Sequence, residues 1–376
     1  MPSQDLDQLL APTLAQAKAA NLYRQPKVTQ RLSATDVVVD GKSATCFCSN
    51  DYLGLATHPK IRKAMQSGGS GAAHLISGHS PEHHALEEEL ADFLGKPRAL
   101  LFSTGYMANV GVIDAITHSG EWTIHSDELN HASLIDGCRL SKANTKQYRH
   151  NDIAQLHSQL QPDSNLIVTD GVFSMDGDLA ALKQLSGLPA HLMVDDAHGF
   201  GVLGSQGRGT VNHLGANQQV PIIMATFGKA VGTFGAFITG SDALIEYLIQ
   251  RCRTYIYTTA SPPGQAAATR VALQLVQQDE WRRDKLQTLI QRFRSGCSEL
   301  GIQTSNSGTP IQPIILGDAE KTLDASQELL KQGIWVGAIR PPTVPQGTAR
   351  LRITLSAEHS EHDVDRLLNA LELACD

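Results

Sequence analysis

The sequence predicts an α/β protein: a large, mostly parallel sheet domain followed by a small C-terminal α+β domain. Three observations predict it. From about Ser49 onward, short apolar runs alternate with helical patterns, as the strands and crossover helices of a parallel sheet do. Near SPPGQAAATRVALQLVQQDEWRRDKLQTLIQRFRSGC the pattern changes to helix after long helix, a bridge into a second unit. The length of 376 residues also exceeds what one hydrophobic core usually holds.

In chain order, MPSQDLDQLLAPTLAQAKAANLYRQ reads as an amphipathic helix and TCFCSN as a strand-like run. The strands of the large domain are ALLF before Ser103, WTIH before Ser126, NLIVT before Asp170, HLMV before Asp195, IIMAT before Phe227 and AFIT before Gly240. Each ends in a turn of small or polar residues. In open α/β sheets ligands sit at the carboxyl ends of the strands, so these turns are where chemistry is expected. Beyond the long helices, IQPIIL, a helix around ASQELLKQG, IWVGAIR, ARLRITL and a last helix from about Glu361 describe the small unit. The expected division is an N-terminal helix and strand segment over 1–48, a large domain over 49–270 and a small domain over 271–376.

Composition narrows the partners. A net charge of -7, with no obvious basic stripe, disfavours nucleic acid and anionic membranes and leaves small-molecule chemistry. The N-terminal segment carries acids early and lacks a continuous apolar core, so it does not read as a secretory signal, and no run reaches an uncharged membrane-spanning length. The six cysteines (Cys46, Cys48, Cys138, Cys252, Cys297, Cys375) are scattered, which suits reduced thiols in a cytoplasmic protein. Cys46 and Cys48 read as a structural pair on one face. HSPEHHALEEEL holds His79, His83 and His84, but Pro81 places His79 ahead of the helix, so the reading is a solvated helix start with no metal.

The candidate chemistry centres on ATFGKAVGTFG, whose only charge is Lys229. Position alone leaves Lys229 open between a snorkelling surface lysine and a reactive amine. Its neighbours Gly228, Gly232 and Gly235 favour close approach of backbone to something bulky. A second strand end, MVDDAHGFG, offers Asp195, Asp196 and His198. Pyridoxal 5'-phosphate unites these parts, because a lysine can capture its aldehyde while an aspartate pairs with its ring nitrogen. LLFSTGYMANVGVI reads as strand, turn and helix, presenting backbone N–H groups at Gly105 and Tyr106 to a phosphate. His131 in SDELNHASLID could stack on a planar ring, and Arg340, Arg350 and Arg352 surround a proline-rigidified turn as carboxylate-clamp candidates. The P-loop motif is absent, since Lys229 is followed by Ala230.

Taken together, SNDYLGLATHP, LNHASL, TDGVFSMDGDLA, MVDDAHGFGVLG, TFGKAVGTFGA and IRPPTVPQGTARLR resemble the α-oxoamine synthases, which are fold-type I pyridoxal phosphate enzymes. The resemblance runs in order across nearly the whole chain. It implies that Lys229 holds the cofactor aldehyde, Asp195 pairs with the ring nitrogen, His198 and Ser174 lie near the ring hydroxyl, and His131 covers the ring face. It further implies that Gly105, Tyr106 and Thr226 meet the cofactor near its phosphate, and that Thr259 reaches the phosphate of the partner in a homodimer. Arg352 with Asn50 would hold an amino-acid carboxylate, and Thr343 with Arg24 would contact the acyl substrate or product. SNDYLGL with IRPPTVP looks most like the branch that condenses L-alanine with pimeloyl-CoA or a pimeloyl-acyl carrier protein. A relative that condenses glycine with a short acyl-CoA, or a non-catalytic member of the fold, is the alternative. The chain departs from the family between HPKIRKAM and GSGAAHLISG, where only QSG intervenes, and Asp170 stands where a glutamate often appears.

Overall fold

A computed structural model describes residues 5–119 and 121–375. The chain divides into two compact units, Asn50–Leu286 and a second made of Met1–Ser49 with Gln287–Asp376. The expected boundary at 270 falls inside the helix Pro263–Gln278, and the N-terminal segment groups with the C-terminal one. The physical tie is a strand pairing: Ile334–Trp335 adds in parallel to Lys42–Cys46, which closes a four-stranded sheet with Thr29–Arg31 and Asp36–Val39.

The large unit is a seven-stranded sheet in the spatial order Arg98–Phe102, Ala236–Gly240, Ile222–Thr226, His191–Asp195, Asn165–Asp170, Thr123–Asp127, Asn144–Tyr148. All six anticipated strands are present. The strand Asn144–Tyr148 has no counterpart among them because it lies at the sheet edge, largely exposed, and its NTKQY has no apolar run. The sheet is parallel except for Ala236–Gly240, which runs antiparallel to both neighbours, so its carboxyl end points away from the other strands' carboxyl ends. Its AFIT run encodes burial on both faces but not direction. One layer of core joins Leu100, Val112, Ile113, Val168, Met193 and Ile238, and another joins Leu156, Ile167, Leu182, Leu192 and Ile223. Alternate residues of the same strands feed opposite faces, as a sheet covered on both sides requires.

In the smaller unit IQPIIL and ARLRITL become Ile311–Gly317 and Ala349–Thr354, paired antiparallel, and the helices Ala319–Lys331 and Glu361–Cys375 are as expected. IWVGAIR splits: Ile334–Trp335 joins the sheet of Lys42–Cys46, whereas Gly337–Ile339 joins Ala349–Thr354. The helix Leu6–Ala19 forms with Asp5 as its cap, yet Leu6, Leu9, Leu10 and Leu14 on it are exposed. Cys46 and Cys48 lie side by side with sulfurs 3.7 Å apart, and the cysteines at 46, 48, 138, 252 and 297 are free thiols. Among the described residues no helix is long and apolar enough to cross a membrane.

Two local features hold the loops that carry candidate residues. Gly232, three residues past Lys229, has φ +70°, and a Cβ there would sit 2.4 Å from the backbone nitrogen of Ala56. The bulky neighbour that the glycine pattern anticipated is, at this position, the chain's own Leu55–Ala56 backbone. Farther along, His150 bridges Asp127 Oδ1 (3.1 Å) and Asp178 Oδ2 (2.7 Å) and meets the Phe173 ring edge-on, which ties down the loop bearing Ser174. Burial opposes its charge, but the two carboxylates outweigh burial and raise its pKa to about 10.

Replacing Gly232 with Ala is therefore expected to cost at least about 2 kcal/mol, from the left-handed backbone and the backbone clash together. Urea unfolding reads this as a lower midpoint with an unchanged slope. For His150, a pKa raised above its unfolded value means stabilisation fully present below about pH 6.5 and lost as pH rises through about 10. The stability gap between the wild type and His150→Gln should therefore be widest near pH 6 and shrink steadily towards pH 10, measured by the same unfolding curves.

Candidate functional site

The parallel strands deliver their last residues to one cavity of about 140 Å³. Asp170, Asp195 and Thr226 end three strands, and Lys229 follows the third. The cavity is lined by Gly105, Tyr106, His131, Asp195, His198, Thr226 and Lys229, all anticipated, together with Ser133, Asp170, Ala197 and Met224, which were not. Lys229 is half-buried, lines the cavity, and its Nζ donates to Thr226 Oγ1 at 3.2 Å.

Asp195 is buried, and both its oxygens are held. Asn109 Nδ2 donates to Oδ2 at 2.6 Å, and the Ala197 N–H donates to Oδ1 at 3.0 Å. The adjacent acid faces elsewhere. Asp196 turns away to accept the Thr210 N–H at 2.7 Å, and burial pushes it up to about 7. Burial and then the nearby Asp195 push Asp170 well above the usual carboxylate range, and its Oδ2 accepts the backbone N–H of His131 at 2.7 Å.

His131 caps the helix Ala132–Leu140. Its Nδ1 accepts the Ser133 N–H at 3.2 Å and lies 2.7 Å from Ser133 Oγ, so the neutral ring carries its proton on Nε2. Asn109 Nδ2 also donates to Ser133 Oγ at 2.9 Å, which couples His131 to Asp195 through one side chain. His198 is positioned from the other side by Tyr52, whose hydroxyl lies 2.7 Å from Nδ1 and donates to Asn50 Oδ1 at 3.1 Å. Asn109, Ser133 and Tyr52 are site residues that the sequence patterns do not single out; Tyr52 lies inside a family motif, but nothing local marks its partner 146 positions away.

The start of the helix Gly105–Thr117 faces the same space. Thr104 caps it by accepting the Met107 N–H, which leaves the first-turn amides of Gly105 and Tyr106 available to an anion. A Cβ at Gly105 would lie 2.6 Å from Thr226 Cγ2, so glycine is what lets this helix end approach that strand end. The Tyr106 hydroxyl itself hydrogen-bonds Asp136.

Two anticipated cofactor residues lie outside this lining. Ser174 sits half-buried in the loop after Asn165–Asp170. Thr259 is exposed and forms an isolated bridge with Ala73. In the smaller unit Arg24 Nη2 donates to Thr343 Oγ1 at 3.4 Å, and Arg352 is buried in the strand Ala349–Thr354 beside the equally buried Arg350. Arg340 is engaged with the carbonyl of Asn21.

An amine, a buried acid, an imidazole and a helix start around one cavity fit a pyridine cofactor bearing an aldehyde and a phosphate. Comparison with known proteins agrees. The model of the class I and II aminotransferases matches residues 43–371. An 8-amino-7-oxononanoate synthase from Saccharophagus degradans is 54% identical over 97% of this chain and 96% of its own. Among solved structures, a serine palmitoyltransferase variant from S. paucimobilis with bound PLP–myriocin aldimine superposes with a TM-score of 0.92 at 28% identity, covering 99% of this chain and 98% of the other. The 8-amino-7-oxononanoate synthase of Francisella tularensis does so with a TM-score of 0.78 at 33% identity, over 88% and 97%. The chain belongs to the class I and II aminotransferase family and, within it, to the 8-amino-7-oxononanoate synthases.

Proposed function

We propose that the chain condenses L-alanine with a pimeloyl thioester, carried on coenzyme A or an acyl carrier protein, to give 8-amino-7-oxononanoate, carbon dioxide and free thiol. The observation that carries this is the convergence of Lys229, Asp195, His131, His198 and the Gly105 helix start on one cavity. Pyridoxal phosphate, the cofactor of this chemistry, supplies a carbonyl that captures amines and a ring that accepts negative charge from the substrate α-carbon.

The protein's own groups do the rest. Lys229 Nζ would hold the cofactor through its carbonyl and is the amine placed to move the substrate α-proton. Asp195 keeps a proton on the ring nitrogen, and its two hydrogen bonds from Asn109 and Ala197 hold the carboxylate in place for that role. The amides of Gly105 and Tyr106 with the Thr226 hydroxyl bind the phosphate. His131 would shield the cofactor ring from water, while His198, set by Tyr52, and Ser174 would hold the ring hydroxyl. Arg352 with Asn50 binds the alanine carboxylate, and Thr343 with Arg24, already in contact, binds the acyl chain.

The exposure of Thr259 supports a homodimer in which it reaches a partner's phosphate. Ala73, just before the turn that carries Leu75 and Ile76, bridges Thr259, and Ile76 (86% exposed) and Tyr257 (72%) are apolar side chains that a second copy would cover. A cytoplasmic location and the absence of a nucleic-acid partner accord with the free thiols and the net charge of -7.

The test is thiol release by the cofactor-loaded protein. Release with L-alanine and pimeloyl-CoA, but not with glycine and acetyl-CoA, is the expected result; the reverse would move the chain to a glycine acyltransferase. Lys229→Ala is expected to lower the rate by at least about 10²–10⁴-fold, the worth of a positioned proton carrier. Unchanged thiol release in that variant would take the proton-moving role away from Lys229, and no release from the wild type with either pair would leave a non-catalytic role for the fold.

A further inference from the structure

The histidine-rich turn before the helix Pro81–Leu94 does more than start that helix. His74–Gly78 forms a single wide turn, and His79 and Ser80 continue in extended backbone before Pro81. This bend brings His79 back over the first turns of the helix, where His84 and Glu87, three residues apart, lie on one face. One ligand atom from each of His79, His84 and Glu87 lies within 4.8 Å of the others. We propose that these three residues bind a divalent transition ion of the zinc class, a site separate from the cavity around Lys229 and sharing no lining residue with it.

Geometry and donor chemistry select the ion. Two imidazoles and one carboxylate, with water completing the shell, form an open zinc-type set, whereas magnesium and calcium prefer all-oxygen shells. Bonds of about 2.0–2.2 Å to a common ion would need the three ligand atoms to close by about an ångström, within reach of side-chain rotation. Each ligand also has a second polar neighbour. His79 Nδ1 lies 3.1 Å from His74 Nε2, His84 Nε2 lies 3.4 Å from Glu88 Oε1, and Glu87 Oε1 accepts the Leu101 N–H at 3.0 Å. Outer partners of this kind orient metal-binding imidazoles and carboxylates. Exposed His79 and His84 give the ion a path from solvent, and half-buried Glu87 anchors it.

The ion would staple the 74–80 turn to the helix Pro81–Leu94. That turn is bonded through His74 N–H to the carbonyl of Thr258, and Ala73 pairs with Thr259.

Calorimetric titration of the chelator-stripped, cofactor-loaded protein with zinc chloride tests the site. The expected result is about one ion per chain, with affinity lowered at least about tenfold in both His79→Gln and His84→Gln and no comparable binding of magnesium. Both variants replace exposed side chains outside the cavity, so thiol release and the unfolding midpoint without zinc should stay at wild-type levels. Absence of a one-to-one site in the wild type would overturn the proposal. So would wild-type affinity in the two variants, which would assign the ion to thiols or to the cofactor phosphate.

Discussion

Burial of the Asp195 carboxylate is the constraint on which the large unit depends. A carboxylate removed from water costs several kcal/mol unless its oxygens are occupied, so the surrounding elements must arrive in register to occupy them. Asn109 does this from the helix Gly105–Thr117 and, with the same amide group, reaches Ser133 at the start of Ala132–Leu140. One side chain thereby fixes two helices against the strand that ends in Asp195. His131, the first-turn amides of Gly105 and Tyr106, and the acid itself then stand in a constant relation before any ligand arrives, which is the preorganisation that electrostatic catalysis requires.

The same logic explains why two adjacent aspartates differ. Asp195 is held with its oxygens at the cavity, whereas Asp196 serves the Thr210 backbone and stays in the interior, its carboxyl raised by burial. Asp170 adds a third buried acid that works through His131's backbone rather than through its ring. Carboxyl groups thus gather at strand ends, where they position neighbouring backbone and side chains, while the strands themselves, such as Asn165–Asp170 and His191–Asp195, supply the buried apolar core.

Much of this is legible in the residues. Six strands, the long helices and six of the cavity residues follow from apolar runs ending in small polar turns, whereas Thr226 is assigned by the family resemblance. Periodicity reports burial, however, and not direction or partners. Ala236–Gly240 therefore looks like its parallel neighbours while running against them, and the polar edge strand Asn144–Tyr148 leaves no signal. IWVGAIR reads as one strand because nothing in its composition marks the change of sheet after Trp335. The contacts from Asn109 to Asp195 and from Tyr52 to His198 span 86 and 146 positions, beyond any local pattern. Helical spacing alone keeps His79 apart from His84 and Glu87, since only the bend at Ser80 and Pro81 brings the first to the others.

Lys229 as the amine that holds pyridoxal phosphate, with Asp195 and the Gly105 helix start around it, is the central claim. Borohydride reduction of the holoprotein, followed by peptide mapping, tests it most directly. The predicted result is the cofactor fixed to the peptide containing Lys229 and to no other lysine; a label at Lys96 or any other lysine, or none at all, would contradict it.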